Sequence, residues 1–187
     1  MKLLPIFAAV LGTCTGVLCA ADTKADPKAA GSHQLSEFHI GTLITGPEAK
    51  LDDAKGKAVL IDAWGIHCGP CLSLLPEVEK ISKRYKDKMI VVGAHCQDGT
   101  DDQVKDVVTK NHLTYAITKG VNGPVNFTGL PHAFIFDTSG KMLFSGSPFD
   151  KDFDRALHRA ISGGGSTGGS SGNSANDSSF DSAFSKH

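Results

Sequence analysis

Cys68 and Cys71 stand three residues apart around Gly69-Pro70, a spacing that serves disulfide exchange or one half of a metal site. The pair directly follows an apolar run, Ala58 to Trp64, and opens a segment with helical spacing. Cys68 is therefore expected at a helix N-terminus, where unpaired N–H groups and the helix dipole favour an anion. The thiolate is the nucleophilic form of cysteine. Lowering its pKa from about 8.5 toward neutrality makes Cys68 the attacking sulfur, while Cys71, inside the first turn, is shielded and close enough to resolve a mixed disulfide. Pro70 is tolerated because the first helical turn has no N–H partner to lose. Against zinc, no second Cys-x-x-Cys or His pair lies at the usual distance, and a rigid Gly-Pro after a strand suits redox chemistry better. An inert structural disulfide is the remaining alternative.

Four further residues could join this chemistry. Asp62 lies in the middle of the apolar run, where an acid costs several kcal/mol (~2 to 7) unless it is neutral or paired; the plainer alternative is an Asp capping a frayed strand end. His67 immediately precedes Cys68, and as an imidazolium it could stabilise the thiolate or be a solvated spectator. His95 and Cys96 end a second apolar run beside the first. Cys96 reads as a buried inert thiol rather than a third redox group, with the two residues as weak candidates for a metal.

The elements that position these groups follow from periodicity. Lys55-Gly56-Lys57 turns into the run 58–64, which suits a parallel strand buried on both faces. A helix over 69–86 carries Leu72, Leu75, Val78, Ile81 and Tyr85 at helical spacing, with a kink expected at Pro76 from its missing N–H. Met89 to Ala94 forms a second strand, Thr100 or Asp101 caps a helix reaching His112, and Thr114 to Thr118 forms a third strand. This βαβαβ order implies a parallel sheet with right-handed crossovers. Residues 133–136 and 142–144 flank Asp137-Thr138-Ser139-Gly140 as a hairpin, and 150–161 form a last amphipathic helix. An α/β sandwich with one antiparallel edge results.

Length and composition bound the rest. With 187 residues, 40% of them hydrophobic, and a formal net charge of −1, the chain suits one catalytic domain and lacks the basic stripe of a nucleic-acid binder. Residues 1–21 read as a signal peptide, with Lys2 before the apolar Leu3 to Leu18 and small residues before Asp22. A membrane anchor would need ~20 apolar residues, more than the run broken by Pro5, Gly12 and Gly16 supplies; lipid attachment at Cys14 is a third reading. Cleavage would remove Cys14 and Cys19, leaving Cys68, Cys71 and Cys96 where disulfides persist. Residues 22–33 read as a flexible leader, 34–162 as the folded domain, and 163–187 as a Gly/Ser-rich disordered tail in which Phe180 and Phe184 are stray aromatics or a small docking helix. Asn126-Phe127-Thr128 would matter as a glycosylation site only in a eukaryotic secretory route.

The ordered set Gly41-Thr42-Leu43, Gly56-Lys57, Asp62-Ala63-Trp64, Cys68-Gly69-Pro70-Cys71, Pro76 and Gly129-Leu130-Pro131 resembles the thioredoxin superfamily, and within it the TlpA/ResA-type exported disulfide reductases. The resemblance implies a thioredoxin-like α/β fold, a central mixed sheet flanked by helices, with 97–118 as a helix-strand insertion before a cis-Pro loop. It also implies that Pro131 is cis and faces the cysteines, that the Leu130 backbone pairs with substrate, and that Asp62 takes and returns the Cys71 proton. Trp64, His67, Gly69, Pro70, Leu130, Pro131 and His132 would form the wall of the site. His67 and His132 depart from the family's usual Trp and Thr.

The resulting expectation is a protein-disulfide reductase with no cofactor beyond the Cys68–Cys71 couple. It would act as a monomer outside the cytoplasm, in a bacterial periplasm by its leader; the resemblance implies oxidised cysteine pairs in an apocytochrome or a copper protein as substrate, and a membrane thiol transporter as donor. A net oxidant or isomerase is one alternative. A copper-binding chaperone using Cys68, Cys71 and His67 or His95 is the other.

Overall fold

The computed structural model describes residues 33–54 and 56–163; the leader, most of the Gly/Ser-rich tail, Cys14, Cys19, Phe180 and Phe184 lie outside the described residues. In chain order the elements are β1 (His39–Ile40), β2 (Leu43–Thr45), β3 (Ala58–Trp64), α1 (Gly69–Arg84), β4 (Met89–His95), α2 (Asp101–Lys110), β5 (Ala116–Lys119), β6 (Val121–Asn122), β7 (His132–Phe136), β8 (Met142–Gly146) and α3 (Asp152–Ile161). Single 3-10 turns at Leu35–Glu37 and Leu51–Asp53 precede β1 and β3.

The main sheet runs β2-β5-β4-β3-β7-β8, with β3, β4 and β5 parallel and β2, β7 and β8 antiparallel to their neighbours. All seven residues of β3 are buried, as expected for a strand with a neighbour on each side and a layer on each face. From β3 to β4 to β5 the chain advances in one direction, so two right-handed crossovers place α1 and α2 on the same face. The core agrees. Leu75, Val78 and Ile81 of α1, Val104 and Val108 of α2, and Phe153 and Leu157 of α3 pack in one cluster with Leu60 and Trp64 of β3. The opposite face holds Val59, Ile61, Phe134 and Phe136, covered by Leu35, Phe38 and Ala54 from the N-terminal segment. Phe38 meets Phe134 and Phe136 with ring centroids 5.1 and 5.0 Å apart.

Local chemistry explains the boundaries. Cys68 is the N-cap of α1. Thr100 caps α2 in a reciprocal box, its Oγ1 accepting from the Gln103 N–H while Gln103 Oε1 accepts from the Thr100 N–H. Asp137 Oδ1 accepts from the backbone N–H groups of Ser139 and Lys141, closing the hairpin turn in which Gly140 adopts φ +83°. Glu79 ties α1 to the start of β5, accepting from the Thr114 N–H at 2.8 Å and its hydroxyl at 2.7 Å and pairing with Lys83.

Several expectations change in detail. α1 ends at Arg84, two residues early, and α3 begins at Asp152. The third strand is shifted to 116–119 because Thr114 is spent on Glu79. The sheet has antiparallel strands at both ends rather than one, since β2 adds to β5, and β1 and β6 form a small second sheet. Such two- and three-residue strands are too short to carry a readable alternation. The His33 carbonyl accepts from the Met142 N–H, so ordered pairing already includes the last residue of the expected leader.

Gly93 of β4 lies opposite Asp62. A methyl group there would come within 2.8 Å of Ile117 Cδ1 and 3.0 Å of both Trp64 Nε1 and Tyr115 Cε2, and all three residues are buried. Overpacking of this kind costs ~1–3 kcal/mol. Gly93→Ala is expected to lower the urea midpoint accordingly; an unchanged midpoint would mean that this layer is looser than its distances indicate.

Candidate active site at the start of α1

A seven-residue buried strand delivers the chain to a short turn, Gly65 to His67, from which α1 begins. The Cys68 N–H donates to the Gly65 carbonyl at 3.2 Å, closing that turn. Cys68 and Cys71 are joined as a disulfide. As N-cap, Cys68 offers its Sγ to the Cys71 N–H at 3.2 Å, so a helix donor points at this sulfur, an arrangement that favours a thiolate there. Cys68 retains 8% exposure and Cys71 1%; the order expected from their helix positions is preserved, although both are more enclosed than a free helix end would be. Gly69 and Pro70 are exposed.

Asp62 is 2% exposed, and by alternation along β3 it points to the same face as Leu60 and Trp64, where Cys71 also packs. Burial raises its carboxyl from an ordinary 3.8 to about 7. Its Oδ1 has no hydrogen-bond partner among the described residues, as is true of Trp64 Nε1 and the Tyr115 hydroxyl. A carboxyl held this way exchanges a proton near neutral pH.

The Leu130-Pro131 peptide is cis. Leu130 is partly buried and packs against the cluster that contains both cysteines; Pro131 is buried.

Three expected members of the wall are placed differently. Trp64 is wholly buried, its ring edge-on to His95 at 5.4 Å, so it floors the site from the core and presents nothing to a substrate. His132 faces the other side of the sheet, because it shares the alternation of Phe134 and Phe136. It stacks on Phe127 at 4.8 Å, Nε2 lies 3.0 Å from Ser145 Oγ, and burial lowers the imidazole to about 4. His67 is exposed, and its backbone N–H donates to Gln97 Oε1 at 2.9 Å.

His95 and Cys96 are the weak metal candidates. His95 Nε2 accepts from the Ile66 N–H at 3.3 Å, and burial, with His67 second, lowers its pKa. Cys96 packs on the face away from the disulfide, donates to the Ala94 carbonyl at 3.4 Å and is raised in pKa by burial. Among the described residues, no three His, Cys, Asp or Glu side chains converge on one point. Gln97 escaped the sequence reading, since a lone polar residue after a strand carries no periodic or motif signal.

Two clefts of about 480 Å³ each lie elsewhere. One is bordered by Lys50, Asp53, Lys83 and Lys86, the other by Leu35, Leu51 and Thr138. Neither is lined by Asp62, Cys68, Cys71 or Pro131.

The raised Asp62 pKa is also a statement about stability. The folded chain binds this proton more tightly than the unfolded one, so the contribution is full below pH 3.8 and is lost as pH rises through about 7. At ~1.4 kcal/mol per unit, the loss is on the order of 4 kcal/mol. Asp62→Asn should therefore melt higher than the wild type at pH 8, with the gap closing in acid; parallel melting curves across this range would contradict a buried, neutralised Asp62.

A thioredoxin family model matches residues 48–129, a span that contains β3, the cysteine pair and α2. The thioredoxin-like protein YneN of Bacillus subtilis is 35% identical over 112 residues, covering 57% of this chain and 65% of that protein. The thiol-disulfide oxidoreductase ResA of Bacillus thuringiensis is 34% identical over 108 residues, covering 56% and 62%. The match thus spans less than two thirds of either relative. Among solved structures, the thioredoxin domain of a thiol-disulfide oxidoreductase from Bacteroides vulgatus superposes with a TM-score of 0.56 at 19% identity, covering 71% of this chain and 98% of that one. By the sheet order, the cysteine pair at the start of α1, the cis-proline and these likenesses, the chain has the thioredoxin-like fold.

Proposed function

We propose that the chain is an exported thiol–disulfide oxidoreductase that reduces disulfides in proteins. The observation that carries this reading is the Cys68 sulfur at the N-cap of α1, with the Cys71 N–H aimed at it. Likeness to ResA and YneN supports the chemistry. The leader over residues 1–21 supports export.

In the reductive direction the Cys68 thiolate attacks one sulfur of a substrate disulfide. That S–S bond breaks, and the other substrate sulfur leaves as a thiolate. Cys71 then gives its proton to the Asp62 carboxylate and attacks Cys68 Sγ. The mixed disulfide breaks and the second substrate sulfur leaves, so two electrons pass to the substrate and the Cys68–Cys71 disulfide forms. The proton on Asp62 returns when a dithiol donor reduces the pair again. A membrane thiol transporter is the class of donor that an exported reductant needs, and an oxidised cysteine pair in an apocytochrome or a copper protein is the class of substrate.

Gly69-Pro70 between the cysteines favours the reductive direction, since thioredoxin lies near ~−270 mV and strong oxidants near ~−120 mV. Equilibration of the chain with glutathione is expected to give a value nearer thioredoxin. A potential above about −150 mV would reverse the assignment to a net oxidant.

The division of labour between the sulfurs is tested separately. Cys71→Ser should accumulate covalent complexes through Cys68 that dissolve on reduction, whereas Cys68→Ser should trap far fewer. Reversed yields would exchange the roles. Stoichiometric copper in the reduced protein together with no trapped partner would favour the metal-binding alternative.

A further inference from the structure

The turn that presents Cys68 is held from outside by the segment following β4. Ile66 donates its N–H to His95 Nε2 at 3.3 Å, and His67 donates its N–H to Gln97 Oε1 at 2.9 Å. Two residues before Ile66, the Trp64 carbonyl accepts from the Cys96 N–H at 2.8 Å, extending the β3–β4 pairing by one bond. The two segments also interlock sterically. A Cβ on Gly65 would lie 2.0 Å from Gln97 Oε1, and one on Gly99 would lie 2.6 Å from Ile66 Cδ1. Each segment thus has a glycine where the other's side chain crosses it. The Ile66 and His67 contacts belong neither to the sheet ladder nor to α1, and neither involves a sulfur directly.

We propose that His95 and Gln97 are positioning residues for the nucleophile: by holding the Ile66 and His67 N–H groups they fix the Gly65–His67 turn, and so keep Cys68 Sγ at the helix N-terminus. The proposal rests on Cys68 being the attacking sulfur. Its physical content is an entropy argument. When the disulfide opens, the covalent tie between Cys68 and Cys71 is lost, and the sulfur stays on the helix axis only if the turn leading into it is held by other bonds. The Cys68 N–H to Gly65 carbonyl bond closes the turn from within, while His95 and Gln97 close it from without.

The two arms differ in kind. Gln97 accepts through an amide oxygen that does not titrate in the working range. Nε2 of His95 accepts only when it carries a lone pair, which requires a neutral ring with its proton on Nδ1. Protonation replaces that acceptor with a donor facing the Ile66 N–H and opens this arm. The groups that set the balance around His95 are the exposed His67 ring, which opposes a second positive charge, and Asp101, which favours it. Asp101 is itself paired with Lys119, at 2.9 Å, and Lys119 is the β5 partner of His95 in the sheet. On the ring's flank lies the edge of Trp64, which brings no charge.

The test follows the rate of Cys68 alkylation by iodoacetamide against pH in the reduced full chain, with thermal unfolding recorded alongside. Gln97 is only half-buried, so Gln97→Leu should fold and lose a single acceptor. It is expected to slow Cys68 alkylation at pH 7 about fivefold, the fold-change of one hydrogen bond, and to raise the pH midpoint. His95→Leu should do the same. His95→Gln, whose amide oxygen reaches the Nε2 position without titrating, should restore the rate and simplify the acidic limb from two ionisations to one. Variants that lose thermal stability but keep the wild-type alkylation profile within twofold would overturn the proposal, as would His95→Gln behaving like His95→Leu. Preferential alkylation of Cys71 in the wild-type protein would instead overturn the nucleophile assignment on which the proposal stands, and the two failures are distinguished by which cysteine carries the label.

Discussion

Complete burial of β3 is the constraint on which the other features depend. Seven consecutive buried residues need hydrogen-bonded strands on both sides and apolar layers on both faces, because no backbone polar group in such a strand can be satisfied by water. β4 and β7 supply the sides, and the three helices supply one face. Among the described residues the other face is covered without an α-helix, by Leu35, Phe38 and Ala54 from the segment before β3. Since the strand cannot shift without exposing one of these layers, its C-terminal end is a fixed point in space. The turn that leads into Cys68 begins there, and the helix dipole directed at Cys68 takes its orientation from α1 packing on the same strand.

Asp62 is the exception inside that strand, and its cost fits the proton-carrying role proposed for it. An apolar residue at this position would suit the layer formed by Leu60, Trp64 and Leu75. The carboxyl instead sits beside the glycine at 93, with the unpartnered Nε1 of Trp64 and hydroxyl of Tyr115 in the same buried layer. Desolvation raises its pKa, so the acid is tuned by its surroundings rather than by a charged neighbour. A partner such as lysine would hold the carboxylate charged and remove its capacity to carry a proton at neutral pH.

Much of this was legible in the sequence, and the boundary is physical. β3, α1, β4 and the hairpin turn were readable because long apolar periods and a Gly/Asp turn carry local signals. A cap of α2 at Thr100 or Asp101 was readable from side-chain chemistry, and the structure selects Thr100. The same alternation that marks a strand does not say which face meets which layer, so His132, next to Pro131 in sequence, was expected at the cysteines and lies on the opposite face against Phe127 and Phe134. Trp64 illustrates a second limit, since adjacency to a motif does not distinguish a wall from a floor. The β1–β6 pair and the β2 edge depend on long-range pairing of two- and three-residue segments, and no local pattern encodes that.

Gln97 and His95 mark the remaining gap between motif and site. A Cys-x-x-Cys motif describes the residues that react, but the turn before it contributes only backbone donors, and their partners can come from any segment that the topology brings near. Here parallel pairing places His95 directly opposite Trp64, so whatever follows β4 must pass the turn that follows β3. Two glycines, at 65 and 99, allow that passage at close range. The register of two buried strands therefore decides which residues can restrain the nucleophile. For the same reason, variation just after β4 can alter the reactivity of Cys68 without touching the motif.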